Sequence, residues 1–356
     1  MEASDSHPPQ GAMALGGRAV RLGRHVANHN AVILLLPVGL GIILIGAVDS
    51  SLSDQLRWLL ALVGWAAAFL GFRAIGRLKW GNGFEPGLWL AIGWVAIVVL
   101  AAVFADILPL AEAVDTVKAL TEPSRKRPEL FSRHPLGTDN QGLDILGGVI
   151  YGARISLQVS LLAVTVGILV GGIAGTVAGY FRGIPDIIFG FITDSLLAFP
   201  PLVLLLAVVA AINPTVWTIS LALALLGIPT MGRLARANTL TFAQREFVLA
   251  ARSLGASRRR VIFWELIPNV FRPLLSYAFL IVAVLIVAEA SLSFLNVGIS
   301  RPTPTWGNMI AAGQEKVKDH PHMVFVPGIV MFVTVYSINR IGDAARQRWD
   351  PREASL

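Results

Sequence analysis

Two carboxylates lie inside long apolar runs, Asp194 in ITDSLLAFPP and Glu289 in VAEASLSFL. An ionised acid there costs roughly 2.5 to 3.5 kcal/mol on insertion scales, so it faces a wet cavity, a partner or a hydrogen bond from a neighbouring helix. Two readings stand side by side: a lining of a translocation path, and a structural hydrogen bond. Other chemistry is sparse. The chain has no cysteine, which removes disulfides, thiolate metal sites and cysteine nucleophiles. Its histidines, His7, His25, His29, His134, His320 and His322, form no ligand constellation with carboxylates on one helix face, so no metal site is expected. No nucleophile is paired with a base. No G-x-x-x-x-G-K-S/T phosphate loop occurs, so ATP hydrolysis is not expected of this chain.

The other chemically loaded stretch runs from Glu246 to Pro268, EFVLAARSLGASRRRVIFWELIP. Ala250, Ala251 and Leu254 should sit on a short helix that ends at Gly255, because glycine tolerates the left-handed conformation that closes a helix. Ser257 can cap a second helix whose first turn holds Arg258, Arg259 and Arg260. Cations are unfavourable there against the helix dipole unless something acidic offsets them, which points to a partner. Pro268 suits the first turn of a further helix. A basic loop retained by the positive-inside rule accounts for the arginines but not for Val261, Ile262, Phe263 and Trp264. These put apolar surface on a segment too short and too charged to span lipid, as at an interaction site.

The elements that must hold these residues are membrane helices. With 55% hydrophobic residues, 14% charged and a mean hydropathy of +0.68 over 356 residues, the chain reads as an all-α polytopic membrane protein. Its net charge of +7 is scattered between apolar runs, which fits topology and not nucleic acid. Residues 1–30 form a polar tail. Spans are expected at about Ala31–Val48, Leu56–Ile75 and Leu88–Ile107, followed by a mixed-charge external segment over 108–152. Further spans follow at Ile155–Tyr180, Ile187–Ala211 with Pro200-Pro201 inside it, and Thr215–Ala235 with Pro229 inside it. The last two are Val270–Leu295 and a short one at Met323–Ile338, ended by Asn339-Arg340-Ile341-Gly342-Asp343. Between them, RPTPTWGNMI should break regular structure and set Trp306 at an interface. Gly167, Gly171, Gly175 and Gly179 recur every four residues on one face, for intramolecular packing or for a subunit interface. With the N-terminus inside, the inner loops hold 19 of the 29 Lys and Arg, so both termini are expected in the cytoplasm.

Four separated motifs carry a family resemblance. HPLGTDNQGLDIL, His134 to Leu146, runs on into Tyr151-Gly152-Ala153-Arg154-Ile155-Ser156-Leu157. Ala250-Ala251, three residues, Gly255 and then Ile267-Pro268 form the second. Pro304 with Trp306-Gly307 forms the third, and Asn339, Gly342-Asp343 and Asp350-Pro351 the fourth. Together they resemble the second permease subunit of dipeptide and oligopeptide ABC importers, with Leu249 and Leu143 standing where that family usually has glutamate and arginine. The resemblance implies a type I permease core of six helices, here with two extra N-terminal helices over 31–75. The core would comprise 88–107 and 153–345, with a coupling loop over 244–268 and a cytoplasmic tail over 346–356. The loop's Glu246, Leu249, Ala250, Ala251, Gly255, Ser257, Arg258, Arg259, Arg260, Trp264 and Pro268 would dock on a cytoplasmic ATPase. A homologous permease, two ATPase domains that hold ATP and Mg, and an extracytoplasmic substrate-binding protein are the implied partners, in the plasma (inner) membrane. Nickel or another small solute is the alternative cargo. An ion-gradient secondary transporter is the competing class, and it predicts internal repeats that this chain does not display.

Overall fold

The computed structural model describes residues 34–48, 54–81, 84–129 and 132–349. The polar tail expected at 1–30, and the last tail from Asp350 on, lie outside them. Among the described residues there is no β-strand, only an isolated antiparallel bridge between Thr138 and Asp144. Internal contacts divide the chain into two units, Met1–Trp89 and Leu90–Leu356.

The first unit holds α1 (Leu35–Val48) and α2 (Asp54–Trp80), packed as a hairpin. Small residues set the spacing. A Cβ on Gly39 would collide with the backbone of Gly64 and Ala68, and one on Gly71 with Leu36, so the two helices meet backbone to backbone. Leu40, Leu59, Leu62 and Trp65 face outward.

In the second unit, α3 (Pro86–Val103, which straddles the division), α5 (Ile145–Phe181), α8 (Val216–Phe242), α10 (Arg258–Phe294) and α12 (His322–Trp349) are long and apolar enough to cross a membrane. A sixth, broken span is formed by α6 (Ile184–Ala198) and α7 (Pro201–Val209), bent by 90°. The break follows from Pro200 and Pro201, which have no N–H for the carbonyls of the preceding turn. A short α4 (Thr116–Ala119) precedes α5, while α9 (Glu246–Ser253) and α11 (Trp306–Gly313) lie between the long helices. One apolar core joins α3, α5, α7, α8 and α10 through residues such as Val159, Leu205, Leu223 and Ile286.

The glycine stripe of α5 packs within the chain. Gly167 lies on Gly227, Gly171 and Gly175 lie on the backbone around Gly232, and Gly179 lies on Arg236 and Thr239, all in α8. Intramolecular packing is therefore the reading that holds at this face.

One expectation is overturned and two are refined. Regular α-turns do start at Ile267 with Pro268 in the first turn, but without a break: α10 reaches them from Arg258 through wide π-helical turns over Val261–Leu266 that send the Ile267 N–H to the Ile262 carbonyl. That wider winding accommodates a proline with no hydrogen bond to give. Trp306 is not an interfacial aromatic. It is fully buried, and Nε1 donates to the Val149 carbonyl at 3.0 Å, while Thr305 and Asn308 close a capping box that starts α11 there. Finally, helical structure does not stop at Asn339 to Asp343: α12 continues to Trp349, and at Gly342 it lies close against Phe279 of α10.

At the N-terminal end of α5 the polar segment is tied together by its own side chains. Asp144 caps α5 by accepting from the Gly147 N–H at 2.7 Å. Buried His134 bridges Asp144 at 3.0 Å and Glu122 at 3.2 Å, and Arg133 reaches Glu122 at 2.9 Å. Asp139 accepts from the Gln141 and Leu143 N–H groups and pairs with Arg301 at 2.9 Å. Burial pushes the Asp144 carboxyl above its usual value of 3.8, opposed by the Gly147 N–H and by His134.

Candidate functional site

The segment from Glu246 to Pro268 leaves the far end of α8 and turns back into α10. Glu246 opens α9 as an acid in the first turn, where the helix dipole favours it. The helix closes in a Schellman motif: the Ala256 N–H bonds the Ala251 carbonyl, the Gly255 N–H bonds the Arg252 carbonyl, and Gly255 takes φ +80°. Ser257 then caps the next helix by accepting from the Arg260 N–H at 3.4 Å.

One face of this helical corner is an anchor. Val248, Val261 and Leu266 are fully buried against Tyr180 at the end of α5 and Phe242 at the end of α8. The Arg252 guanidinium lies over the Tyr180 ring at 5.0 Å, a cation–π contact that fixes the same joint. Sequence reasoning missed this anchor. Its only signal is the placing of Val248 inside an eight-residue helix and of Val261 and Leu266 five apart, a spacing that suits a π-turn and not an α-helix.

The opposite face is open. Leu254 is 88% exposed and Trp264 76% exposed, with Phe247, Leu249, Ala250 and Phe263 also outward. Arg258, Arg259 and Arg260 are exposed, and among the described residues no acid pairs with them. Arg259, Arg260, Phe263, Trp264 and Glu265 line one open concavity. Ala251 is half-buried, while Ser257 and Pro268 are exposed. The structure thus brings together nearly all of the residues singled out from Glu246 to Trp264. It sets Pro268 one turn beyond Trp264, inside α10.

The two carboxylates of the spans have different surroundings. Glu289 of α10 is fully buried and accepts from Ser156 of α5 at 2.9 Å and from Ser293 at 2.7 Å, a tie between two packed helices. Asp194 of α6 is 71% exposed and accepts from Arg233 of α8. Lower on the same pair of helices, Asp186 accepts from Arg236, with one contact at 2.7 Å. Arg233 and Arg236 count as loop charges in the topology reading. In the fold they lie in α8, paired with acids 39 and 50 residues away. Arg154, quoted in the first motif without a role, caps the end of α3 by donating to the Ala102 and Val103 carbonyls and to Asp106. Among the described residues no group of three or more metal-ligating side chains comes together.

Residues 163–354 match the family described as the binding-protein-dependent transport system inner membrane component. The chain is 34% identical, over 257 residues, to the dipeptide transport system permease protein DppC of Alkalihalophilus pseudofirmus, covering 72% of this chain and 83% of that protein. It is 36% identical, over 220 residues, to the glutathione transport system permease protein GsiD of Escherichia coli O6:K15:H31, covering 62% of this chain and 73% of that protein. The same figures hold for the GsiD protein of Shigella boydii serotype 4.

Proposed function

Because the chain belongs to the binding-protein-dependent transport system inner membrane component family, we propose that it is one permease half of an ATP-driven importer for dipeptides or oligopeptides. It is a multi-pass membrane protein of type I permease fold, a transport component and not an enzyme. Its relatives, permeases of dipeptide and glutathione transport systems, support a peptide-like cargo for this chain. In the proposed assembly a homologous permease completes the path, an extracytoplasmic binding protein delivers substrate, and two cytoplasmic ATPase domains hold ATP and Mg. Both termini lie in the cytoplasm, residues 108–152 lie outside, and α1 and α2 add two spans to the core. Single cysteines at Ser124 and Ser257, in a chain without cysteine, test that orientation. An impermeant thiol reagent applied to intact cells should label the first and spare the second.

The observation that carries the coupling role is the two-faced corner at Glu246 to Trp264. Its apolar anchor grips the ends of α5 and α8, while its aromatic and triply basic face has no partner among the described residues. A push on that face would be passed to the membrane helices through the anchor. Of the two carboxylates, Asp194 keeps the role on the path, and Glu289 takes the role of an interhelical tie.

The test is ATP hydrolysis by the reconstituted complex, with and without loaded binding protein. Gly255→Val adds roughly 1 to 2 kcal/mol of strain at the left-handed position, and charge reversal of Arg258 with Arg259 removes the basic face. Either change should abolish ligand-stimulated hydrolysis and uptake, with the partners' basal hydrolysis kept. Normal stimulation in both variants would sink the coupling role.

A further inference from the structure

We propose that Val117 and Leu120 of α4, edged by Arg125 and Arg127, form the seat on which the extracytoplasmic binding protein lands, its matching surface being an apolar recess bordered by carboxylates. The proposal rests on the importer reading above and adds to it a surface and a partner chemistry.

The seat has a firm mount. The chain leaving α3 lies against the first turn of α5, where the Asp144 N–H bonds the Glu112 carbonyl at 2.8 Å and a Cβ on Gly147 would press on Ala113. Asp115 then caps α4 by accepting from the Val117 and Lys118 N–H groups at 2.9 and 3.3 Å. Ala119 is fully buried. A Cβ on Gly142, two residues before the N-cap of α5, would press on the carbonyls of Ala119 and Glu122. The short helix is thus seated on the start of α5, and the bonded side chains of Glu122, His134 and Asp144 lie at the same joint. Ionisable groups gathered so closely belong with water and not with hydrocarbon.

Two aliphatic side chains stand out from this mount. Val117 is 73% and Leu120 78% exposed, and the Leu120 N–H bonds the Val117 carbonyl, so they are neighbours on one turn. A single exposed aliphatic side chain is ordinary. An adjacent pair, held outermost by a helix cap on one side and a buried alanine on the other, is a prepared contact.

The partner follows from side, size and charge. Transport in this family depends on a binding protein. Helix α5 is long enough to cross a membrane, and the coupling corner grips its other end at Tyr180, so in the proposed assembly α4 faces the exterior, where that protein works. A carrier that must leave after each delivery suits a small seat, since transient interfaces bury less than about 1,200 Å². Arg125 and Arg127 are exposed, and among the described residues no acid pairs with either. The Arg125 N–H bonds the Asp139 carbonyl, as does the N–H of Gly142, which ties this arginine to the turn that carries α4. Unpaired guanidinium groups beside an apolar contact attract carboxylates and fix the orientation of docking.

The test uses the full complex with cysteine-free partner subunits, in nanodiscs, titrated with its binding protein loaded with the dipeptide Ala-Ala. Val117→Asp with Leu120→Asp should raise the binding-protein concentration for half-maximal ATPase stimulation by about tenfold or more, with the saturating rate within about twofold of the parent. Arg125→Glu with Arg127→Glu should raise it by about threefold or more in about 0.05 M salt, and the difference should close in about 0.5 M salt. A bimane probe on Val117→Cys should shift to the blue when the binding protein is added, without quenching by nitroxide-labelled lipid. If the aspartate pair prevents assembly, the bimane readings decide alone. Quenching by that lipid in the absence of binding protein would give α4 to the membrane surface and overturn the proposal. An unchanged half-maximal concentration in the apolar variant, a lost saturating rate, or a charge effect that salt leaves in place would overturn it too. Absence of stimulation in the parent complex, or labelling of Val117→Cys from the cytoplasmic side alone, would instead bring down the importer reading and its orientation.

Discussion

The two ends of α5 are built on opposite plans. Where the helix begins, polar side chains spend their bonding capacity on one another: His134 holds Glu122 and Asp144, Asp139 holds Arg301, and Trp306 is sealed beneath them with its N–H on Val149. Where it ends, beside Tyr180, only the apolar side of the corner is closed, and among the described residues nothing covers three arginines, Leu254 and Trp264. The first end is close to a finished domain surface, in which most buried polar groups are satisfied internally, His320 Nδ1 and His322 Nε2 being the buried exceptions there. The second resembles half of an interface, with exposed aromatic and arginine side chains of the kind that dominate binding energy once a partner covers them. Both ends carry arginines. What separates them is that, among the described residues, Arg133 and Arg301 at the first end have acidic partners, whereas Arg258, Arg259 and Arg260 at the second have none.

The sharpest way to break that contrast is to remove one tryptophan from each end. Trp306→Ala empties a fully buried site and should cost about 3 to 5 kcal/mol, read as a large drop in the melting temperature of the detergent-solubilised protein. Trp264→Ala should leave that temperature within the range of an ordinary surface change, about 0.5 kcal/mol or less, while ligand-stimulated hydrolysis by the complex falls. Equal melting shifts for the two would erase the distinction between a finished end and an open one.

A smaller effect sharpens the account of the finished end. His134→Ala leaves buried Asp144 and half-buried Glu122 without their common partner. The loss should be roughly 1 to 3 kcal/mol, seen as faster protease cleavage between Pro109 and Leu143 in the isolated protein. Charge reversal at Arg258 should not change that cleavage.

The smallest effect is one of pH. The Glu112 carboxylate accepts from the Asp115, Val114 and Ala113 N–H groups. The bond from Asp115 is the main cause holding its pKa below the usual 4.5, against a smaller opposing effect of burial. A lowered folded pKa means that this group's stabilisation is complete above the unfolded value and is lost as pH falls through the folded one. Protection of the segment from an acid-active protease should therefore weaken as pH drops below about 4.5. Glu112→Gln should remove that component of the pH dependence, and an identical profile in the variant would show that another group sets it.

The open end was largely legible in the sequence because its chemistry is local. A positive φ at Gly255 and a cap at Ser257 depend on neighbours within five residues, and exposed arginines next to aromatics announce themselves in composition. What was not legible depends on distant partners. Trp306 looks like an interfacial aromatic until the Val149 carbonyl, 157 residues away, takes its N–H. Arg233 looks like one more inner-loop cation until Asp194 comes to meet it across two helices. Pro268 was legible as a first-turn proline of the α-turns that start at Ile267, but the wide winding over Val261–Leu266, which joins them to Arg258 without a break, was not. The glycine repeat marks a close approach, but repeat spacing cannot say whether the partner is α8 or another chain.

That close approach between α5 and α8 has a mechanical consequence. Where Gly167, Gly171 and Gly175 meet Gly227 and Gly232, backbone rests on backbone, and there is no layer of side chains whose rotamers could change to let one helix slide past the other. Over the paired stretch, Gly227 to Thr239 of α8, the two helices should behave as a single stiff strut about 18 Å long, at 1.5 Å per residue. A displacement at the Tyr180 and Phe242 end would then reappear at the opposite end undiminished, and the amides of the two helices should exchange with solvent as one cooperative unit.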